Sequence, residues 1–301
     1  MIIKITHVYW ALIKIMVPAL IVVKVLEMLG ATEYLALALS PVMSLVGLPD
    51  SMGLVWAATM LVNIYTGMAV FFGLALSEPL TVAQVTVLST MMLFAHGLVV
   101  EGAIAKASGI AWSYSLALRI GAAFLIGVLL HLFYSSTGSL QEVSEVLWQP
   151  ELVGNDLASW GVLQLKTLAI AFIIISGLVI LMRILEVLGI EKLLHWMLTP
   201  FLRSLGIGKE AANITIIGFT LGLSFGGGLL IEQAKSGMIS KRNVFLSMSF
   251  LCLCHSLIED TLLMLLLGAD LSGILWARLA FTFVVIASIA HFSNFFRKTS
   301  Y

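Results

Sequence analysis

The chain has 301 residues, 60% of them hydrophobic and only 11% charged, with a mean hydropathy of +1.09. Soluble domains carry about a quarter charged residues, so a soluble globular fold is excluded and a polytopic all-α membrane protein is expected. Sixteen basic and sixteen acidic residues cancel, which leaves no net field or basic arm for nucleic acid.

Near the amino terminus, the first apolar run lacks the short core and small-residue cleavage site of a removable signal, so it reads as a retained membrane helix. Runs of about 20 apolar residues match a hydrocarbon core about 30 Å thick. Such runs occur at Tyr9 to Leu29, Met52 to Leu76, Val82 to Ala105, Trp112 to Tyr134, Leu168 to Leu188, Ala211 to Ala234, Val244 to Leu267 and Ile274 to Phe295. Two shorter runs, Tyr34 to Val46 and Leu193 to Leu205, have Pro41 and Pro200 near their middles. Proline removes a helical hydrogen bond, so these read as short, broken or interfacial helices.

The stretch from Ser135 to Trp160 is polar and acidic, with Glu142, Glu145, Glu151 and Asp156 and no Lys or Arg. Lys4 and Lys14 lie at one end of the chain and Arg297 and Lys298 at the other. The positive-inside rule then predicts cytoplasmic termini, an outer linker and an inner-membrane location. Counting the proline-containing runs as crossings gives two inverted repeats of about five membrane segments each, with broken or re-entrant helices, although Arg203 and Lys209 then fall on the outer side. The expected division is a first repeat over 1–134, an extracytoplasmic linker over 135–165 and a second repeat over 166–301.

An internal repeat supports that division. The histidines at 96 and 255 are 255 − 96 = 159 positions apart. With no gap, the same offset pairs Lys24 with Arg183, Glu27 with Glu186, Gly30 with Gly189, Pro41 with Pro200 and Gly47 with Gly206. It continues through Gly67 with Gly226, Ser77 with Ser236, Glu101 with Asp260, Gly109 with Gly268 and Arg119 with Arg278. Duplicated halves of opposite orientation, interrupted at corresponding places, are the pattern of secondary transporters that bind solute near the bilayer midplane.

The segment Leu181-Met-Arg-Ile-Leu-Glu-Val-Leu-Gly-Ile-Glu-Lys-Leu-Leu, followed by Thr199-Pro-Phe-Leu, resembles the opening of the Gate, or nucleoside recognition, domain. Val23-Lys-Val-Leu-Glu-Met-Leu-Gly and Ser40-Pro-Val-Met repeat it in the first half. That domain occurs in spore maturation proteins A and B, in concentrative nucleoside transporters and in the membrane part of ferrous iron transporter B. The resemblance implies transport or a pore and gate, and leaves nucleosides and metal ions both open as cargo. No Gly-x-x-x-x-Gly-Lys-Ser/Thr loop accompanies it, which sets the chain apart from the full iron transporter.

The densest chemistry lies in Cys252-Leu-Cys-His-Ser-Leu-Ile-Glu-Asp-Thr. Ionisable groups inside a membrane segment are costly and face a cavity or one another. On a continuous helix Cys252, His255 and Glu259 share one stripe, where they pair structurally, bind substrate, carry a proton or, with His96, ligate a transition metal. Glu101 and Asp260, five residues past their histidines, fall about 140° round such a helix. They are therefore expected to face the other repeat or a water-filled pocket.

Three consecutive glycines, Gly226, Gly227 and Gly228, predict an unwound turn, whereas Gly67 alone predicts close helix packing. Asn63, Tyr65, Thr66, Ser224, Glu232 and Gln233 would then orient a polar solute. Lys24 with Glu27, and Arg183 with Glu186, read as structural pairs three apart.

The expected function is transport of a small polar solute, nucleoside-like or another organic solute, by alternating access. A divalent transition-metal transporter and a non-transporting membrane scaffold are the alternatives. No His-Glu-x-x-His occurs and no serine or cysteine has a nucleophile setting, so an enzyme is not expected. No cofactor is expected, although a coupling ion is left open. The expected partners are the lipid bilayer, the solute or ion and another copy of the chain in a homo-oligomer.

Overall fold

The computed structural model describes residues 31–74, 79–145 and 157–298, with scattered positions between 17 and 29. Most of the run from Tyr9 to Leu29, Ser77 and part of the acidic linker therefore lie outside the described residues. So do the side chains of Glu27, Arg183, Glu186 and Ser224.

The described chain is helical. Its first six helices are α1 (Ala31–Leu45), α2 (Met52–Leu61), α3 (Ile64–Leu74), α4 (Val82–Phe94), α5 (Leu98–Ala107) and α6 (Trp112–Thr137). Next come α7 (Leu157–Val187), α8 (Ile190–Ser204), α9 (Lys209–Leu221), α10 (Leu223–Lys235), α11 (Lys241–Leu253) and α12 (Leu257–Leu266). A π-helical turn at Ser272–Ala277 leads into α13 (Arg278–Lys298). Helices α8, α11 and α12 reproduce α1, α4 and α5 residue for residue at the histidine spacing of 159. Even the helix starts correspond. Thr81 accepts from the Gln84 amide at the head of α4 in a capping box, and Ser240 accepts from the Asn243 amide at the head of α11.

Four stretches among the described residues are long and apolar enough to cross a membrane: Val82–Ala107, Trp112–Thr137, Lys241–Leu266 and Ser272–His291. Helix α7, at 31 residues, is also long enough, covering about 46 Å at 1.5 Å per residue. The proline-containing helices do not add crossings. Both α1 and α8 run unbroken through their prolines for 15 residues, about 22 Å against a core of about 30 Å.

The runs Met52 to Leu76 and Ala211 to Ala234, expected to cross, instead fold back on themselves. At the turns between α2 and α3 and between α9 and α10 the chain reverses, so residues eight apart touch. A Cβ on Gly67 would overlap the Thr59 side chain, and one on Gly226 would overlap the Gly218 backbone. Each run is a re-entrant hairpin with arms of 10 to 13 residues, too short to reach the far side. The five-crossing count per half is therefore corrected. Fewer segments cross, because two proline-containing helices and two hairpins do not.

The halves run in opposite senses. In the first half, the head of α4 lies beside the end of α6, where Ala83 donates to the Leu140 carbonyl at 2.8 Å. That same end meets the start of the last helix of the second half through Tyr134 and Ser272, 2.8 Å apart. The Thr86 hydroxyl oxygen accepts from the Asp270 amide there. Here α11 instead meets the start of α6, through the tilted Tyr114 and Phe245 rings in its first half and through Tyr114 and Ser249, 2.9 Å apart, nearer its end. Equivalent helices α4 and α11 thus begin on opposite faces of the molecule.

They also form its centre. Nearly every residue of both is buried, including Leu88, Met91, Met92, Phe94, Phe250 and Leu251. Helices α6 and α13 pack outside them and expose apolar side chains such as Leu129, Phe133 and Val284, the surface a bilayer would cover.

Candidate functional site at the crossing of two broken helices

Helix α4 stops at Phe94 and α5 resumes at Leu98, while α11 stops at Leu253 and α12 resumes at Leu257. The intervening residues are Ala95-His96-Gly97 and Cys254-His255-Ser256. Gly97 and Ser256 occupy the same left-handed conformation, with φ of 53° and 46°. Glycine takes it freely, and serine takes it at a cost.

A helix interruption frees backbone groups that must find partners inside the membrane. The hairpins provide some of them. Gly97 donates to the Thr59 carbonyl at 3.0 Å, and Ser256 to the Gly218 carbonyl at 3.4 Å, each carbonyl lying in the first arm of its own half's hairpin. Fully buried arginines provide others. Arg119 Nε donates to the Phe94 carbonyl at 2.9 Å, and Arg278 Nη2 to the His255 carbonyl at 2.9 Å.

The interruption decides where the side chains go. His96 and His255 sit in the breaks, so the regular-helix angle that separated them from the acids does not apply. Their Nε2 atoms meet 3.0 Å apart across the interface of the halves. Glu101 Oε1 lies 3.2 Å from His96 Nε2 and 3.4 Å from His255 Nε2, while Glu101 Oε2 pairs with Arg119. Asp260 Oδ2 pairs with Arg278 Nη2 at 3.3 Å. The two histidines and Asp260 bring ligating atoms within 4.8 Å of one another, all buried.

The tautomers follow from the other ring nitrogens. His96 Nδ1 lies 3.1 Å from the Met92 carbonyl, and His255 Nδ1 lies 2.7 Å from the Leu251 carbonyl. A carbonyl oxygen only accepts, so both Nδ1 atoms carry hydrogen. A neutral imidazole protonated at Nδ1 has a bare lone pair at Nε2. In that neutral form two lone pairs and the Glu101 carboxylate oxygen converge on one point.

Other expectations fare differently. The stripe Cys252, His255, Glu259 is not assembled, because the break rotates its members apart. Cys252 faces Ser115 of α6, with Sγ to Oγ 3.4 Å, and Glu259 accepts from the Tyr65 hydroxyl of α3 at 2.8 Å. The proposed metal role of Cys252 and Glu259 thus loses its geometry.

Gly226, Gly227 and Gly228 are helical in α10, and the chain unwinds instead at Gly222, with φ of 97°. Gly226 packs on Gly218 and Gly227 admits Ile104 of α5, so small residues here serve close packing. Gly67 does the same against Thr59. Asn63 lies at the first hairpin tip, where Oδ1 accepts from the Thr66 amide at 2.8 Å and hydroxyl at 3.0 Å, closing the head of α3. Ser224 is in the first turn after the second tip. Glu232 and Gln233 sit near the outer end of α10, about 15 Å along the helix from Gly222, so they leave the candidate site.

Arg119 and Arg278 are participants that the sequence marks only as a recurring pair of the repeat, placed to snorkel or to compensate a carboxylate. Their recurrence at one offset, together with Glu101 and Asp260, was the available signal.

The uncharacterized membrane protein YvoD of Bacillus subtilis is 30% identical to this chain over 292 residues, spanning 94% of this chain and 90% of the relative. The chain belongs to the YvoD family of membrane proteins. No family model matches it, and no solved structure does. The Gate resemblance therefore rests on the motifs quoted above.

Proposed function

We propose that this protein carries a small polar solute across the cytoplasmic membrane, with both termini inside, by alternating access between its two halves. One observation carries the reading: two re-entrant hairpins, one from each half, hydrogen-bond to two broken helices at the buried crossing point. Half-length elements ending inside a membrane expose backbone donors and acceptors where a continuous helix would not, and such ends are where transporters hold solutes. The Gate resemblance points the same way.

Tyr65 and Glu259 place a hydroxyl and a carboxylate between the first hairpin and the second broken helix, half-buried and beside the crossing. They are the groups best placed to orient a solute with hydrogen-bond donors. A scaffold has no comparable use for a carboxylate at that depth.

Thermal-shift screening of the purified full chain against nucleosides, nucleobases and other small polar organic solutes tests the proposal. A ligand that prefers the folded state raises the melting temperature. Glu259→Gln is expected to abolish the shift while leaving the ligand-free melting temperature within a few degrees, since the amide keeps size and loses charge. An undiminished shift in Glu259→Gln would remove this pair from recognition. Absence of any ligand-induced shift or uptake in proteoliposomes would sink the transporter reading.

A further inference from the structure

We propose that His96, His255 and Glu101 form three corners of a divalent transition-metal site at the interface of the two halves, with Asp260 at the fourth. The site is independent of the solute carried and is separate from the Tyr65–Glu259 pair.

The distances are the first argument. Metal-to-nitrogen and metal-to-oxygen bonds of about 2.0–2.1 Å in a tetrahedron place neighbouring donor atoms about 3.3–3.4 Å apart. The three edges here are 3.0, 3.2 and 3.4 Å.

Protonation is the second. Both histidines are committed to the Nδ1–H form by backbone carbonyls, so their Nε2 lone pairs confront one another unless a Lewis acid lies between them. A metal-ligating histidine characteristically donates its other N–H in this way. A single shared proton would satisfy the two nitrogens alone. Glu101 would then be the counter-charge of that proton, and titration with metal separates the two cases.

The outer groups are the third argument. Glu101 points one oxygen at the histidines and gives the other to Arg119, while Arg278 holds Asp260. Each carboxylate is thereby held in place, as ligating carboxylates usually are. Sharing their charge with arginines also weakens their pull on a cation, so the ion is exchangeable rather than permanently locked in.

A nitrogen and oxygen donor set with no thiolate suits zinc, iron, nickel or manganese rather than copper(I). Both cysteines lie outside the set, Cys252 turned to Ser115.

Cobalt(II) reports such a site directly. Full-length protein in detergent is treated with EDTA, then titrated with Co2+ and, separately, with Zn2+. The expected result is about one cobalt per chain, the intense visible absorption of a tetrahedral centre, its loss on adding Zn2+, and a higher melting temperature with either ion. His96→Gln and His255→Gln should each lose the absorption and the stabilisation, whereas Cys252→Ser and Glu259→Gln should keep both. If one histidine variant does not fold, the other and Cys252→Ser still decide the matter.

An unchanged visible spectrum and melting temperature on titration overturns the proposal. So does stabilisation by metal that both histidine variants retain. Stability that is indifferent to metal yet varies with pH near neutrality would assign the centre to a shared proton instead.

Discussion

At the first helix break the left-handed position is Gly97 and the acid that follows is Glu101; at the second, Ser256 holds that conformation and the acid is Asp260. Glu101 has one more methylene and spans from Arg119 to both histidines, whereas Asp260 pairs with Arg278. Position 100 is an exposed valine, but its counterpart is Glu259, bonded to Tyr65. Histidine, acid and arginine recur in both halves, so they belong to the shared architecture of the crossing. The Tyr65–Glu259 pair exists once, and a feature present in one half alone cannot be demanded by the repeat.

Breaking the arginines should have the largest effect. Removing one partner of a buried ion pair strands the other and costs about 3–5 kcal/mol. Arg119→Met strands Glu101 and frees the Phe94 carbonyl, and Arg278→Met does the same to Asp260 and the His255 carbonyl. Both should lower folded yield and melting temperature sharply, by similar amounts. A well-folded Arg278→Met beside an unfolded Arg119→Met would show that only the first half's pair holds the crossing together.

The hairpins offer a finer contrast. At Gly226 an added methyl meets backbone, at Gly218, which cannot rotate away; at Gly67 it meets the Thr59 side chain. Overpacking of this kind costs about 1–3 kcal/mol. Gly226→Ala is therefore expected to depress the melting temperature more than Gly67→Ala, and the reverse order would contradict the packing described for the second hairpin.

The smallest effect should come from exchanging the residues at the breaks. A non-glycine residue in the left-handed region carries about 1–2 kcal/mol. Ser256→Gly should raise stability by up to about 1 kcal/mol, and Gly97→Ser should lower it by a similar amount, with denaturant midpoints as the measure. Equal and opposite shifts would mark the two breaks as interchangeable backbones.

Much of this architecture was legible in the chain. The constant offset revealed the repeat, the acidic linker suggested opposed orientations, and the cost of polar groups in hydrocarbon predicted that the ionisable residues would face a cavity or one another. Hydropathy could not reveal the hairpins, because an apolar stretch from Met52 to Leu76 reads alike whether it crosses or doubles back. The only marks of reversal are Asn63 and Gly222, single residues that also occur in straight membrane helices.

The site was misread for a related reason. Grouping Cys252 with His255 and Glu259 assumed 3.6 residues per turn through a segment that unwinds at Cys254 to Ser256. Once the helix is broken, a neighbour in sequence becomes a stranger, and Glu101 from the other half becomes the near contact. A left-handed serine is too rare to have been foreseen from its identity.

The depth of the crossing also has an electrical meaning. Val82–Ala107 spans 26 residues, about 39 Å, and His96 stands about 21 Å from its head, close to halfway. A cation reaching that point from either face traverses roughly half of the membrane potential, or about 1 kcal/mol per unit charge for each 100 mV. Occupancy of a charged ligand at the crossing would therefore respond to the energised state of the cell as well as to concentration, and more steeply for a divalent ion than for a monovalent one.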